Sequence, residues 1–109
     1  MSVAAFINNA INDEEEKFYL PVSSESFFYS HWLPACELLN LRLVPCFAFG
    51  IDIYKENLLE VIAELNQLKA WTLKNLSGSD LEYMTKRIDL LITKLPLVFT
   101  RDGISVFIG

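Results

Sequence analysis

The chain has 109 residues, of which 52% are hydrophobic and only four each are glycine and proline. This length and composition predict a single globular domain and exclude a disordered or low-complexity protein. Charged residues interrupt every apolar run well before the roughly 20 residues that a membrane-spanning helix needs. The mean hydropathy of +0.30 is high for so small a protein, so we expect apolar surface that pairs with a partner or in a dimer.

The net charge of −5 is concentrated in the first half of the chain. Residues 1–52 contain seven acidic and two basic residues, whereas residues 53–109 contain seven of each. Nucleic-acid binding requires the opposite sign of charge, because affinity comes from neutralising phosphates. We therefore expect no nucleic-acid ligand. The charge suits a basic protein partner, or it serves only to keep the protein in solution.

The first residues and the cysteines predict the cellular compartment. The segment "MSVAAFINNAINDEEE" has no basic region and only a very short apolar core, so we expect no secretory signal. With only Cys36 and Cys46 in the chain, a reducing cytoplasm and free thiols are expected. A Cys36–Cys46 disulfide is the alternative.

The elements of the first half are short. Residues 1–12 fit either a short helix or a strand, and "DEEE" after them is typical of a solvated turn. "KFYLPV" (17–22) predicts a strand that Pro21 restricts to an edge or a strand end. Ser24 or Ser26 is a candidate cap for a helix that Pro34 breaks or restarts.

The next segment, residues 41–54, is apolar at both odd and even positions from 44 to 49. Such a run predicts extended chain, either a strand buried on both faces or one that lies against a partner. Gly50 is expected to form a bulge or bend in it.

The second half contains the clearest patterns. Residues 54–75 and 80–95 each repeat apolar residues at helical spacing, with a short connection that predicts an antiparallel hairpin. Asp102–Gly103 is a turn signal between two β-type runs, of which 104–108 is a final strand. The whole predicts an α+β domain: a small, mostly antiparallel sheet packed against two long antiparallel helices, with a short Pro-broken helix.

The stretch "SHWLPACELL" (30–39) gathers His31, Trp32, Cys36 and Glu37. On a continuous helix, positions 31 and 36 diverge by about 140°, which does not favour a thiol–imidazole pair. The chain also lacks the CxxC and HxxxH spacings of metal sites. We therefore expect a packed helix face with His31 at its rim, and no catalytic residue, metal or cofactor.

Glu56, Glu60 and Glu64 follow an i, i+4, i+8 pattern that places them on one face of the predicted helix 54–75. The carboxylates form either an ordinary solvated face or an acidic ridge that meets a basic partner. Acid–base catalysis is not expected from them, because nothing on an exposed ridge separates their pKa values.

Four segments carry a resemblance to a known class of proteins: "FYLPVSSESFF", "WLPACELLNL", "LLEVIAELNQLKAW" and "DGISVFIG". In size, acidity, strand–helix order and the E-L-x-x-L-x-x-W helix, the chain resembles small, acidic, single-domain bacterial proteins. Among these are immunity proteins of polymorphic or contact-dependent toxin systems. The resemblance implies stoichiometric inhibition, in which an acidic surface occludes a toxin nuclease or another cationic effector domain.

The first hypothesis is therefore a non-enzymatic, immunity-type inhibitor that binds a basic protein. A homo-oligomeric structural or adaptor module is the second, and a small thiol enzyme that uses Cys36 is the third. Aromatic residues beside carboxylates are typical interface anchors. The candidate partner-binding residues are Asp13, Glu14, Glu15, Glu16, Glu25, Trp32, Glu37, Glu56, Glu60 and Glu64.

Overall fold

A four-stranded antiparallel sheet forms one layer of the computed structural model, which describes all 109 residues. Its strands are β1 (Ser2–Ile7), β2 (Tyr19–Ser24), β3 (Ile51–Tyr54) and β4 (Ser105–Ile108), in the spatial order β2-β1-β4-β3. Residues 1–12, which fitted either a short helix or a strand, contain β1, one of the two central strands of the sheet. Pro21 lies on an edge strand, as predicted.

Helices form the second layer. They are α1 (Asp13–Lys17), α2 (built from Glu25–Phe27, Phe28–Trp32 and Leu33–Leu39), α3 (Leu58–Asn75) and α4 (Gly78–Lys94). Short 3₁₀ turns span Val44–Ala48, Lys55–Asn57 and Leu95–Val98. The α+β class and the two long antiparallel helices are confirmed. None of the helices is both long and apolar enough to cross a membrane.

Pro34 does not split α2 into two helices. The middle segment, Phe28–Trp32, winds as a π turn in which the N–H of Leu33 donates to the carbonyl of Phe28, five residues earlier. The backbone stays right-handed helical at both of these residues. Proline has no N–H to continue the α-helical pattern, and the wider π turn immediately before it absorbs this interruption. The predicted break is therefore a local change of helical pitch, and α2 runs on to its left-handed cap at Asn40.

The strand predicted at 44–49 is wrong. Val44–Ala48 is a 3₁₀ turn with Pro45 in its first turn, and the next strand begins only at Ile51. Val44 and Phe47 are fully buried, and residues three apart share a face of a 3₁₀ helix. An apolar run this short satisfies strand and helix spacing alike.

The first β-type run near the Asp102–Gly103 turn (97–100) does not form a strand, because Leu95–Val98 extends α4 as a 3₁₀ turn. The turn itself is present, with Gly103 at φ +79°, and the final strand is confirmed.

The core lies between the inner face of the sheet and the apolar stripes of the helices. Alternate residues of each strand point inward, and the stripes of α3 and α4 meet them as the helical spacing predicts. Burial of each large aliphatic side chain contributes roughly 1.5–3 kcal/mol. The central core residues are Ala5, Ile53, Val106, Ile108, Val61, Leu65, Leu68, Met84, Ile88 and Leu91, all fully buried. All three long helices pack on this face, so the outer face of the sheet stays uncovered.

Candidate protein-binding surface

Three aromatic side chains form a row across the uncovered face of the sheet. The strand register pairs Phe6 with Tyr19 on β2 and with Phe107 on β4. The rings of Phe6 and Phe107 lie 5.3 Å apart, within the range of a favourable aromatic contact. Tyr19 is 58% exposed and Phe6 42%. We call Tyr19, Phe6 and Phe107 the aromatic row.

Two glycines hold the ring of Phe107 flat against the backbone. A Cβ atom added at Gly50 would lie 2.7 Å from the Cζ of Phe107, and one added at Gly109 would lie 2.8 Å from the same atom. Gly50 also has φ +96°, a conformation that favours glycine. The predicted bend at Gly50 therefore has a second role, because it makes room for the aromatic row. The ring of Phe107 has little freedom to move.

Most of the net charge lies at one end of the same sheet, where β1 and β3 end and β2 and β4 begin. Residues 8–17, 52–56 and 101–103 meet there and contain seven acidic and three basic residues, a net −4 of the chain's −5. The acidic end, as we call it, consists of Asp13, Glu14, Glu15, Glu16, Asp52, Glu56 and Asp102, with Lys17, Lys55 and Arg101 among them.

Helix α1 orders four of these carboxylates. The side-chain oxygen of Asn12 accepts a 2.8 Å hydrogen bond from the N–H of Glu15, which caps the helix. Asp13, Glu14 and Glu16 lie in the first turn, where the partial positive charge of the helix N-terminus favours acidic side chains. These three are exposed and take part in no ion pair.

Glu15 has a structural role. Its carboxylate accepts hydrogen bonds of 2.9 and 3.2 Å from the guanidinium of Arg101, which also donates to the carbonyl of Asn9. These contacts tie α1 to the loop before β4. The hydrogen bond from Arg101 holds the pKa of Glu15 below its usual value, and the same pairing raises the pKa of Arg101.

Asp52 connects the acidic end to the aromatic row. It lies directly opposite Phe107 on the neighbouring strand. The side-chain amide of Asn8 donates a 2.8 Å hydrogen bond to its carboxylate and a 3.1 Å bond to the hydroxyl of Ser105. Tyr54, 44% exposed, occupies the next outward position of β3. Aromatic and acidic groups therefore share one continuous surface.

Glu56, Glu60 and Glu64 form neither of the two arrangements expected for them, an acidic ridge or a uniformly solvated face. Glu64 is only 5% exposed and accepts hydrogen bonds from the backbone N–H groups of residues 42–44, at 3.2, 3.0 and 2.9 Å. Glu60 forms a two-point ion pair with Arg42, at 2.6 and 2.8 Å. Of the three glutamates only Glu56 is exposed without a partner, and it belongs to the acidic end.

Trp32 is not at a surface either. It is fully buried and stacks on Phe28 with a centroid distance of 5.3 Å, because the inward side of α2 faces the core. Its indole N–H has no hydrogen-bond partner. Glu25 and Glu37 are exposed on α2, and Glu25 lies at the opposite end of the sheet, beside Met1. Neither residue joins the acidic end.

The only histidine bridges two helices. The hydroxyl of Ser30 lies 2.7 Å from Nδ1 of His31, and Nε2 of His31 lies 3.4 Å from a carboxylate oxygen of Asp80. Ser30 lies on the outside of α2. The backbone N–H groups around its hydroxyl point along the helix axis and donate to carbonyls of the same helix, so none of them is placed to bind an oxyanion beside that hydroxyl. The imidazole stacks on Phe27 of the same helix at 4.1 Å, and its contact with Asp80 joins α2 to the start of α4.

Cys36 is poorly suited to nucleophilic chemistry. Both cysteines are free thiols, and Cys36 is fully buried. Burial raises its pKa to about 12, with smaller contributions from the carboxylates of Glu64 and Glu37. The thiolate, which is the reactive form, is therefore strongly disfavoured at neutral pH. No three His, Cys, Asp or Glu side chains converge to hold a metal ion.

Six members of the surface were not among the predicted partner-binding residues: Phe6, Tyr19, Asp52, Tyr54, Asp102 and Phe107. Aromatic and aliphatic residues alternate in "AFI" and "VFI", a period-2 signal of outward-facing aromatics. The register that joins the aromatic residues into a row depends on pairing between distant strands. No protein-family model, curated protein sequence or solved structure matches this chain.

Proposed function

We propose that this chain is a non-enzymatic protein-binding module that receives a basic protein on the acidic end and the aromatic row. One observation carries the proposal: the uncovered face of the sheet presents ordered aromatic side chains beside a net charge of −4. Aromatic side chains supply most of the binding energy in many interfaces. Clustered carboxylates speed the encounter with a basic partner and disfavour acidic ones.

The aromatic row is suited to tight binding because little order is lost when it is covered. Phe107 is held by the glycines beneath it and Phe6 by Phe107. Aromatic side chains have only two rotatable bonds, so a fixed row costs little conformational entropy when it becomes an interface.

The same geometry argues for protein over nucleic acid as the ligand. Aromatic residues on central strands are also used by single-strand binders to stack bases. Such sites surround the aromatics with Lys and Arg, because phosphates dominate affinity. Here Asp52 lies next to Phe107, and the nearest charged segments are predominantly acidic.

An immunity-type inhibitor is the most concrete form of the proposal. The resemblance to small acidic immunity proteins implies a cationic toxin or effector domain as the partner, occluded one to one. Two free thiols suit action in the cytoplasm. The protein would then act by covering the partner's functional surface, with no chemical step of its own.

The test uses the polypeptide encoded by the gene adjacent to that of this chain, purified and titrated against it by calorimetry at low and high salt. We expect one-to-one binding that weakens as salt rises. The variant Asp13→Asn/Glu14→Gln/Glu16→Gln should weaken binding about tenfold, which corresponds to about 1.4 kcal/mol.

The matched control is Glu25→Gln/Glu37→Gln/Glu82→Gln, which removes the same charge from exposed positions outside the acidic end. Its affinity should change less than threefold, within the spread expected for distant surface charges. Phe6→Ala should also weaken binding, since it removes the centre of the aromatic row. Equal losses for the two triple variants, or no binding at either salt concentration, would overturn the proposal.

A further inference from the structure

The two edges of the sheet differ in how they are protected from pairing with another strand. On the β2 edge, Pro21 has no N–H to offer, and the register of the pairing with β1 shifts between Val3 and Ala4. The N–H of Ser24 donates a 2.9 Å hydrogen bond to the hydroxyl of Tyr83 on α4. Proline, irregular register and a covering helix are the usual means of closing a sheet edge. The β2 edge is therefore closed.

The β3 edge has none of these protections. Its four residues contain no proline, and their register against β4 is regular throughout. At the other side of β4, Ala4 and Gly109 exchange hydrogen bonds of 3.2 and 3.1 Å. Because hydrogen-bonded pairs alternate along antiparallel strands, residues 106 and 108 must then direct their backbone groups to β3. Their partners are Ile53 and Ile51, so the N–H and carbonyl of Asp52 point away from the sheet.

Asp52 is the open point of this edge. Its neighbours at the outward positions are already satisfied, since the N–H of Gly50 donates to the carbonyl of Cys46 at 3.0 Å. The N–H of Tyr54 donates to the side-chain oxygen of Asn57, also at 3.0 Å. The backbone N–H and carbonyl of Asp52 have no such partner within the chain, and the residue is exposed. One donor and one acceptor are therefore available to an extended chain.

The carboxylate of Asp52 determines which chain fits there. It accepts a hydrogen bond from the amide of Asn8 but takes part in no ion pair. Opposite charges on facing strands stabilise the pairing, and like charges destabilise it. A second copy of β3 centred on this residue would set Asp52 against itself. A segment with Lys or Arg at that position gains an ion pair instead, so the edge favours a basic strand.

We propose that β3 receives an extended basic segment of the partner protein as an additional antiparallel strand, with Lys or Arg opposite Asp52. Backbone hydrogen bonds to Asp52 hold the segment and set its register, and the side chains that flank its basic residue give specificity. Tyr54, 44% exposed on the same face, borders the added strand. This inference rests on the proposed function and adds to it the mode by which the basic partner is recognised.

Hydrogen exchange measured by NMR tests the strand addition directly. The probe is the purified polypeptide encoded by the adjacent gene, added to this protein until binding is saturated. Exchange of the Asp52 amide should slow at least about tenfold in the complex, because the amide becomes hydrogen-bonded. The amide of Ser79 is the matched control, since it is exposed in the first turn of α4, where N–H groups have no partner within the helix. Its exchange should not change.

Two variants separate the backbone donor from the charge. Asp52→Asn keeps the N–H and removes the charge, and it should weaken binding about threefold. Asp52→Pro removes the N–H as well and should weaken binding about a further tenfold, which is the value of one lost hydrogen bond. Proline is tolerated at an edge position whose N–H points outward, and circular dichroism establishes that the variant is folded. Equal affinities of the two variants would overturn the strand addition.

The exchange measurement needs no variant, so it decides the question even if Asp52→Pro does not fold. Binding that leaves exchange of the Asp52 amide unchanged would overturn the strand addition alone. The acidic end and the aromatic row would then remain the proposed binding surface. Absence of any binding would overturn both proposals, so the two failures are distinguished.

Discussion

Glu64 and the carboxylates of α1 are the same chemical group in opposite environments. Glu64 is withdrawn from water and accepts three backbone N–H groups. Asp13, Glu14 and Glu16 stay exposed to water, and their only role in the fold is in the first turn of the short helix α1. The sequence alone predicts a helix at Glu64 and a solvated turn at the other three, which the structure shows to be a short helix.

The difference separates carboxylates that build the fold from those free to bind. A buried carboxylate is retained only where hydrogen bonds replace its water shell, so Glu64 is a structural anchor for the turn at residues 42–44. Mutual repulsion within a cluster of unpaired carboxylates opposes the modest stabilisation that each gains from the helix N-terminus. The carboxylates of the acidic end are therefore the ones that the proposed binding of a basic protein would use.

The largest expected effect comes from Glu64→Ala. It leaves two buried N–H groups and one part-buried N–H group without an acceptor, and we expect the free energy of unfolding to fall by about 3 kcal/mol. Glu64→Gln keeps one oxygen and should cost about half as much. Equilibrium urea unfolding measures both. Glu56→Ala is the matched control and should stay within about 0.5 kcal/mol of the wild type. Similar losses at 56 and 64 would contradict the structural role of Glu64.

A second expectation concerns Cys36, whose pKa near 12 reflects burial next to Glu64. The unfolded thiol ionises near its ordinary pKa of 9.0, whereas the folded one stays protonated. The unfolded state therefore loses its proton first, and stability should fall as pH rises from about 9 to about 12, by up to about 1.4 kcal/mol per pH unit.

Urea unfolding of wild type and Cys36→Ala at about pH 8 and about pH 10 isolates this contribution, since other groups titrate equally in both proteins. The gap between the two proteins should narrow at the higher pH. Parallel behaviour of the two proteins would show that the thiol ionises as easily in the folded state as in the unfolded one.

The smallest expected effect belongs to the acidic end. Asp13→Asn/Glu14→Gln/Glu16→Gln should change the free energy of unfolding by less than about 1 kcal/mol, because only a modest helix-dipole term is lost and carboxylate repulsion is relieved. Thermal and urea unfolding at low salt measure it. A loss as large as that of Glu64→Ala would place these residues in the fold and remove the contrast with Glu64.

Local patterns were enough to predict the fold class, both long helices and the edge position of β2. These features depend on periodicity and on the special chemistry of proline, which act within a few residues. The strand predicted at 44–49 was wrong because the apolar spacing there fits a strand and a helix equally well. Pro34 was interpreted as a break because the sequence does not reveal that a π turn can absorb it.

The candidate surface was less predictable than the fold. Helical spacing placed Glu60 and Glu64 on one face, but their partners lie about 20 positions away, around Arg42. Trp32 was assigned to a surface because aromatic residues beside carboxylates are typical interface anchors, although its side of α2 is fully buried. Long-range pairing decides which polar groups are satisfied, and no local pattern contains that information.

The order of the strands also has a consequence for how the protein folds. Asn8 and Ser105 are in contact across the two central strands although 97 positions separate them. The antiparallel pair of β1 and β2 can form early, but β4 alone links it to β3, so the sheet is complete only after residues 105–108 have been synthesised. Closing such a long loop slows folding. A nascent chain therefore leaves the β4-facing edge of β1 unpaired until residues 105–108 have been synthesised.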